Sequence, residues 1–118
     1  MNLVSAISER DREALNAMVA DDVVFNGPVT TYQGRDQVVH LLALIGTVLD
    51  DFTATGEVET VTFVKAHLDG EELDGALIEI TDDNGRIAEI TLLMRPLTMV
   101  QTAVRRMARA LAEGSEAS

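Results

Sequence analysis

The chain has 118 residues, of which 47% are hydrophobic and 25% are charged; this composition is typical of one globular domain and excludes a disordered chain. Twenty acidic and nine basic residues give a formal charge of −11, which disfavours nucleic acids and anionic membrane surfaces as partners. Because no cysteine is present, the sequence offers neither disulfides nor thiolate metal sites.

Two further features narrow the class of protein. The only histidines are His40 and His67, too few for a histidine metal cluster, so we expect no metal and no cofactor. The first residues are too polar for a signal peptide, and no apolar run reaches about 18 residues. We therefore expect a cytoplasmic protein with no membrane partner.

The N-terminal part of the chain predicts three helices. Apolar residues recur at helical spacing over residues 3–7 and again over residues 15–19, with Asp11 as the N-cap of the second helix. Residues 37–49 carry one continuous apolar stripe, which predicts a third helix packed on a sheet, with Asp36 as its N-cap.

The remaining segments predict strands and one more helix. A short strand is expected over residues 21–26, where Gly27-Pro28 ends it. A run of antiparallel strands follows, over residues 58–61, 61–68, 73–81 and 86–95, with a turn at Asp69-Gly70. The last strand is unusually long and is expected in the middle of the sheet.

A C-terminal helix is predicted over residues 97–111, and residues 113–118 are expected to fray. The order of elements indicates one α+β domain over residues 1–118, in which a curved antiparallel sheet packs against three N-terminal helices and carries a C-terminal helix. The concave space between sheet and helices is the default binding site.

A series of segments resembles a known superfamily. These segments cover residues 15–25, Pro28, 32–35, 85–91 and 95–97, and include Ala-Asp-Asp-Val-Val-Phe at 20–25 and Gly-Arg-Ile at 85–87. They are similar to the nuclear transport factor 2-like superfamily and, more closely, to its SnoaL-like branch of small bacterial proteins. The resemblance implies a cone-shaped α+β barrel with a buried pocket, commonly a homodimer through the outer face of the sheet.

The superfamily contains ketosteroid isomerases, limonene epoxide hydrolases, polyketide cyclases and non-catalytic binding or dimerisation modules, so the fold leaves function open. The isomerase resemblance implies a carboxylate base, a phenol and a second acid, which fall here on Gly27, Leu3 and Leu77. The hydrolase resemblance implies an arginine and two aspartates, which fall on Thr62, Val64 and Leu92. These positions lack the chemistry that either reaction needs.

The resemblance to polyketide cyclases implies fewer catalytic groups, since one acid in an apolar pocket suffices for their reaction. Glu79 is the best remaining carboxylate, because it shares strand parity with Leu77; burial would raise its pKa and make it a candidate acid or base. Simple alternation instead directs Ile78 and Ile80 to the core and Glu79 to water. The sequence leaves both orientations open.

The pocket is expected to be mainly aliphatic and to suit a small hydrophobic molecule. The candidate ligand-binding residues are Phe25, Asn26, Tyr32, Leu42, Thr62, Val64, Leu77, Ile90, Leu92 and Met94. Asn26 and Tyr32 offer an amide and the only phenol, although Asn26 could equally close the turn and Tyr32 could pack on a helix.

Three hypotheses about function follow. The leading one is a SnoaL-like homodimer that binds a small hydrophobic molecule. The second is an enzyme of the polyketide cyclase, ketosteroid isomerase or epoxide hydrolase kind that uses Glu79 as acid or base. The third is a dimerisation module without a ligand. Lys65 and His67 are expected on the outer face of the sheet and are not candidates for catalysis.

Overall fold

The computed structural model describes residues 2–117, and side chains as far as residue 112. In chain order the elements are α1 (Leu3–Ser8), α2 (Arg12–Met18), β1 (Val19–Asn26), β2 (Thr31–Gln33), α3 (Arg35–Val48), β3 (Asp50–Val58), β4 (Val61–Leu68), β5 (Glu71–Thr81), β6 (Ile87–Arg95) and α4 (Leu97–Ala117). None of the helices in this range combines the length and apolarity needed to cross a membrane.

The helix starts follow local hydrogen bonding. Asp11 caps α2 as predicted, since its side chain accepts a hydrogen bond from the Ala14 amide at 3.1 Å. The predicted cap of α3 was wrong: Gly34 is the N-cap, with a positive φ of 94° that glycine adopts readily, and Asp36 lies in the first turn. The C-terminal segment that was expected to fray is helical as far as residue 117.

The strands form one six-stranded sheet in the order β2-β1-β6-β5-β4-β3. Neighbouring strands are antiparallel except β1 and β6, which are parallel. β6 lies between β1 and β5, which confirms the predicted central position of the long strand. The predicted strand at residues 58–61 was wrong, because β3 occupies Asp50–Val58 and Glu59 turns the chain at a positive φ of 54°.

The sheet has an inner face toward the helices and an outer face away from them. Leu92 pairs with Leu77, and Leu77 pairs with Thr62, so these residues share the inner face. Leu93 pairs with Ala76, and Ala76 pairs with Phe63, which gives a row on the outer face. The apolar core lies between the inner face and helices α1 to α4.

β5 approaches the backbone of β6 closely at Gly75. A Cβ atom at residue 75 would lie 1.9 Å from the carbonyl oxygen of Leu93, so only a residue without a side chain permits this approach. The pairing of β3 with β4 also contains register shifts, which add local twist. The predicted α+β architecture, a curved cone-shaped sheet with three N-terminal helices and a C-terminal helix, is confirmed.

Replacing Gly75 should therefore distort the sheet. We expect Gly75→Ala to lower the free energy of unfolding by roughly 3 kcal/mol or more, at the upper end of overpacking costs, because the clash is with backbone atoms. Urea denaturation measures the change.

Gly56→Ala is the matched control, since its Cβ would meet only the Phe63 ring, at 3.9 Å. This variant should be neutral or slightly stabilised, because alanine restricts the unfolded chain. Equal stability of the two variants would contradict the assigned role of Gly75.

Candidate functional site

An apolar cavity of about 120 Å³ lies between the inner face of the sheet, α3 and α4. The wall on the sheet side comes from Phe25, Leu73, Leu92 and Met94. The β1–β2 loop closes one side with residues 27–30. The helices supply the remaining lining residues, which are Leu41, Ile45 and Leu49 from α3 and Val100, Ala103, Val104, Met107, Ala108 and Leu111 from α4.

The chemistry of the lining is almost entirely hydrocarbon. Among the described residues, the lining side chains that contain oxygen or nitrogen are those of Thr30 and Tyr32, and each carries one hydroxyl. No aspartate, glutamate, lysine, arginine or histidine of the described part of the chain reaches the lining. The cavity can therefore exclude water around an apolar molecule, but it offers no strong acid or base to it.

Four of the predicted ligand-binding residues line the cavity: Phe25, Tyr32, Leu92 and Met94. The others that face inward lie beside it. Leu42, Val64, Leu77 and Ile90 are buried in the core, and Thr62 is half-buried on the inner face. They belong to the core or to the inner face of the sheet and do not line the cavity.

Asn26 lies on the outer face, away from the cavity. Its side-chain amide donates hydrogen bonds to Glu89 at 2.7 Å and to Thr91 at 3.0 Å, and its oxygen accepts one from Thr31 at 3.2 Å. The expectation that Asn26 rims the pocket is thus not met, because alternation along β1 directs Phe25 inward and Asn26 outward.

Glu79 lies on the inner face, the orientation that strand parity with Leu77 predicted. It pairs with the fully buried Ile90, while Ile80 on the outer face is 51% exposed. Burial raises the pKa of Glu79, and the negative charge of Glu57 raises the same pKa further. Glu79 does not line the cavity.

The raised pKa predicts how Glu79 affects stability. Since the folded state favours the protonated carboxyl, stability is lost as the pH rises from the ordinary value of 4.5 through the folded pKa. We expect Glu79→Gln to raise the melting temperature by a few degrees at about pH 7 and to leave it almost unchanged below the ordinary pKa.

Thermal denaturation at both pH values checks this expectation. Glu71→Gln, at an exposed position that begins the same strand, is the control and should change neither melting temperature. A Glu79→Gln variant that is less stable at neutral pH would show that the carboxylate is favourably bound instead.

Sequence reasoning missed the contribution of α4. Apolar residues recur along α4 at helical spacing, at Val100, Val104, Met107 and Leu111. Periodicity gives the direction of such a helix face but not the element that it covers. In the structure these residues form much of the cavity wall. Leu73, the third residue of β5, was also missed; it lines the cavity together with residues of α4.

An exposed ion pair joins α4 to the β4–β5 turn. Arg106 donates through Nη1 to Asp69 Oδ1 at 3.0 Å and through Nη2 to Asp69 Oδ2. The hydrogen bonds from Arg106 hold the pKa of Asp69 below its usual value. Because both groups are solvated, the pair adds little to stability, but it connects the cavity-lining helix to the sheet.

The positions that correspond to catalytic residues of isomerases are apolar in the structure as well. Leu3 and Leu77 are 2% and 0% exposed, so they belong to the packed core. Gly27 lines the cavity without a side chain. Of these three positions only Gly27 lines the cavity, and none of the three offers an acid or a base.

Solved structures resemble most of the chain. A steroid delta-isomerase from Pseudomonas aeruginosa superposes with a TM-score of 0.86 at 28% identity, over 95% of this chain and 88% of its own. An uncharacterised protein with a cystatin-like fold from Silicibacter pomeroyi gives a TM-score of 0.81 at 23% identity, over 96% of this chain and 85% of its own.

A nuclear transport factor 2-like protein of unknown function from Cytophaga hutchinsonii gives a TM-score of 0.64 at 12% identity, over 82% of this chain and 87% of its own. No family model and no curated protein sequence matches the chain. The chain has the nuclear transport factor 2-like fold, which confirms the resemblance at the level of the superfamily. Its neighbours fit a ligand-binding or an enzymatic role.

Proposed function

We propose that the chain is a SnoaL-like protein that binds a small hydrophobic molecule in the cavity between the sheet, α3 and α4. The supporting observation is the lining, which combines closely spaced aliphatic and aromatic side chains with no charged group among the described residues. Apolar pockets of this kind take up ligands mainly by burying hydrocarbon surface.

An enzymatic role is the alternative that the likeness to a steroid delta-isomerase favours. Glu79 is the inner-face carboxylate with a raised pKa, so it is the candidate acid or base for such a reaction. It is separated from the cavity lining, however, and a general base must reach the proton that it transfers. We therefore favour binding over catalysis.

The binding proposal is tested by filling the cavity. Ala103 of α4 is 4% exposed and lines the cavity, so Ala103→Phe puts an aromatic ring into the ligand's space. We expect toluene to bind the wild type and to lose at least about tenfold in affinity in the variant, because the ring occupies that volume. Isothermal titration calorimetry measures both affinities.

Two further variants make the experiment specific. Ala108→Phe enters the cavity from an exposed lining position and should weaken toluene binding with less effect on folding. Ala112→Phe lies on the same helix outside the lining and should leave binding unchanged. A wild type that does not bind toluene would argue for a module without a ligand. The same conclusion would follow if all three variants bound toluene with the same affinity.

We also propose that the protein is a homodimer through the outer face of the sheet. This face carries a contiguous group of apolar residues, here called the outer apolar patch, which consists of Val58, Val61, Phe63, Ala76, Ile78, Ile80 and Leu93. Leu93 is 57% exposed and Phe63 is 46% exposed. Patches of this kind on a soluble domain commonly mark a protein interface.

The edges of the patch are polar, which suits an interface with a dry centre. The ion pairs Lys65–Glu72 and Asp74–Arg95 lie on its side nearest the start of β5. The hydrogen-bonded cluster of Asn26, Glu89 and Thr91 lies toward the strands on its other side. An apolar core with a polar rim is the usual anatomy of a stable interface.

The dimer is tested by placing charge in the patch. Leu93→Asp should give a monomer, because a two-fold interface repeats the new charge on both protomers and buries it without a partner. Light scattering after size exclusion measures the mass. Val29→Asp, at a loop residue 72% exposed but away from the outer face, should stay dimeric. A monomeric wild type would end this proposal.

A further inference from the structure

The volume of the cavity limits the size of its occupant. Its volume is about 120 Å³, and an engineered cavity of about 150 Å³ lined by leucine, isoleucine and phenylalanine stays dry and binds benzene. The described cavity therefore matches a single ring or a short branched chain. A fused-ring skeleton of steroid size exceeds this space.

The polar groups of the lining limit the chemistry of the occupant. Tyr32 is half-buried, and its ring lies 6.3 Å from that of Phe25 at a tilt of 45°. The paired register of β1 and β2 places these two residues side by side on the inner face. Thr30 is exposed in the loop, so Tyr32 is the less exposed of the two lining residues that carry a hydroxyl.

Charged occupants are disfavoured by the same lining. A carboxylate or an ammonium group would lose its water and find no opposite charge among the described lining residues. A phenol, by contrast, can both donate a hydrogen bond to a carbonyl or hydroxyl oxygen and accept one from a hydroxyl. The cavity thus suits a neutral ligand that carries one such oxygen.

We infer that the cavity takes a neutral, one-ring or similarly short hydrophobic molecule with a single hydroxyl or carbonyl oxygen, and that this oxygen hydrogen-bonds with the hydroxyl of Tyr32. This inference rests on the proposed binding function and adds to it a size limit and a polar contact. Tyr32 is then the residue that distinguishes an oxygenated ligand from a pure hydrocarbon of equal shape.

The experiment compares benzene, phenol, 2-naphthol and benzoate by calorimetric titration of the full chain near neutral pH. Phenol should bind the wild type about 3- to 10-fold more tightly than benzene, the range expected for one net hydrogen bond. Binding of 2-naphthol should be weaker than that of phenol because of its size, and benzoate should bind weakest because of its charge.

Tyr32→Phe removes the hydroxyl and keeps the ring. In this variant the affinity for phenol should fall to that for benzene, while benzene binds as before. Thr31→Val is the matched control, since Thr31 lies on the same strand, bonds to Asn26 and does not line the cavity. It should keep the preference for phenol.

The outcomes separate the inference from the proposed function. If benzene binds but phenol binds no more tightly, or if Tyr32→Phe weakens both alike, the assigned role of Tyr32 is wrong while the binding function stands. If 2-naphthol binds most tightly, the inferred size limit is wrong. If benzoate binds most tightly, the inferred preference for a neutral ligand is wrong. If none of the four probes binds, the proposed function fails and the inference fails with it.

Discussion

The architecture depends on the close approach of β5 to β6 at Gly75. The Leu93 carbonyl occupies the space that a side chain at residue 75 would need, so the two central strands come closer together than a residue with a Cβ atom would permit. A similar contact lies in the helical layer, where a Cβ at Gly46 of α3 would stand 1.9 Å from the carbonyl oxygen of Ile7 in α1. In both contacts the backbone of one element packs directly on the backbone of another. The spacing between these elements therefore depends on glycine, which has no side chain, at positions 75 and 46.

Much of the fold could be predicted from the sequence because its signals are local. Helical spacing, the Asp11 cap and the turn at Asp69-Gly70 act within a few residues, and the structure has helices and strands where they indicate. β3 was misplaced because it is an edge strand: Phe52 is its one buried residue, so its sequence lacks the alternation of a half-buried strand.

The assignment of β5 side chains to the inner or outer face shows a second limit of prediction from the sequence. Alternation of Ile78, Glu79 and Ile80 normally directs the isoleucines to the core, yet Glu79 faces inward and Ile80 lies 51% exposed outside. Parity relative to Leu77, which came from the resemblance, was the better guide. Alternation assigns the faces of a strand only when one face is apolar and the other polar. Here the outer face, which we propose for dimerisation, is itself apolar, so alternation could not distinguish the two faces.

The site was predictable only in part, for a geometric reason. Residues of one strand share a face at fixed spacing, so Phe25, Leu92 and Met94 could be inferred as inward-facing. The contribution of α4 requires the helix to pack against α3 and β6, and the periodicity of its apolar residues does not encode those partners. Core residues that do not line the cavity, such as Leu42 and Ile90, were named with the lining because burial and cavity contact look alike in a sequence.

The physical cost of the cavity bears on the choice between binding and scaffolding. An unfilled apolar cavity in a closed core costs about 24 cal/mol per Å³, so a volume of about 120 Å³ corresponds to at most roughly 3 kcal/mol. That is a large share of the roughly 5 to 15 kcal/mol that stabilise a typical domain. Leu3 and Leu77 show that hydrocarbon packs tightly elsewhere in this core, since both are almost fully buried. A space retained between such well-packed layers supports the proposed binding function over a module that binds nothing, because an occupant would offset its cost.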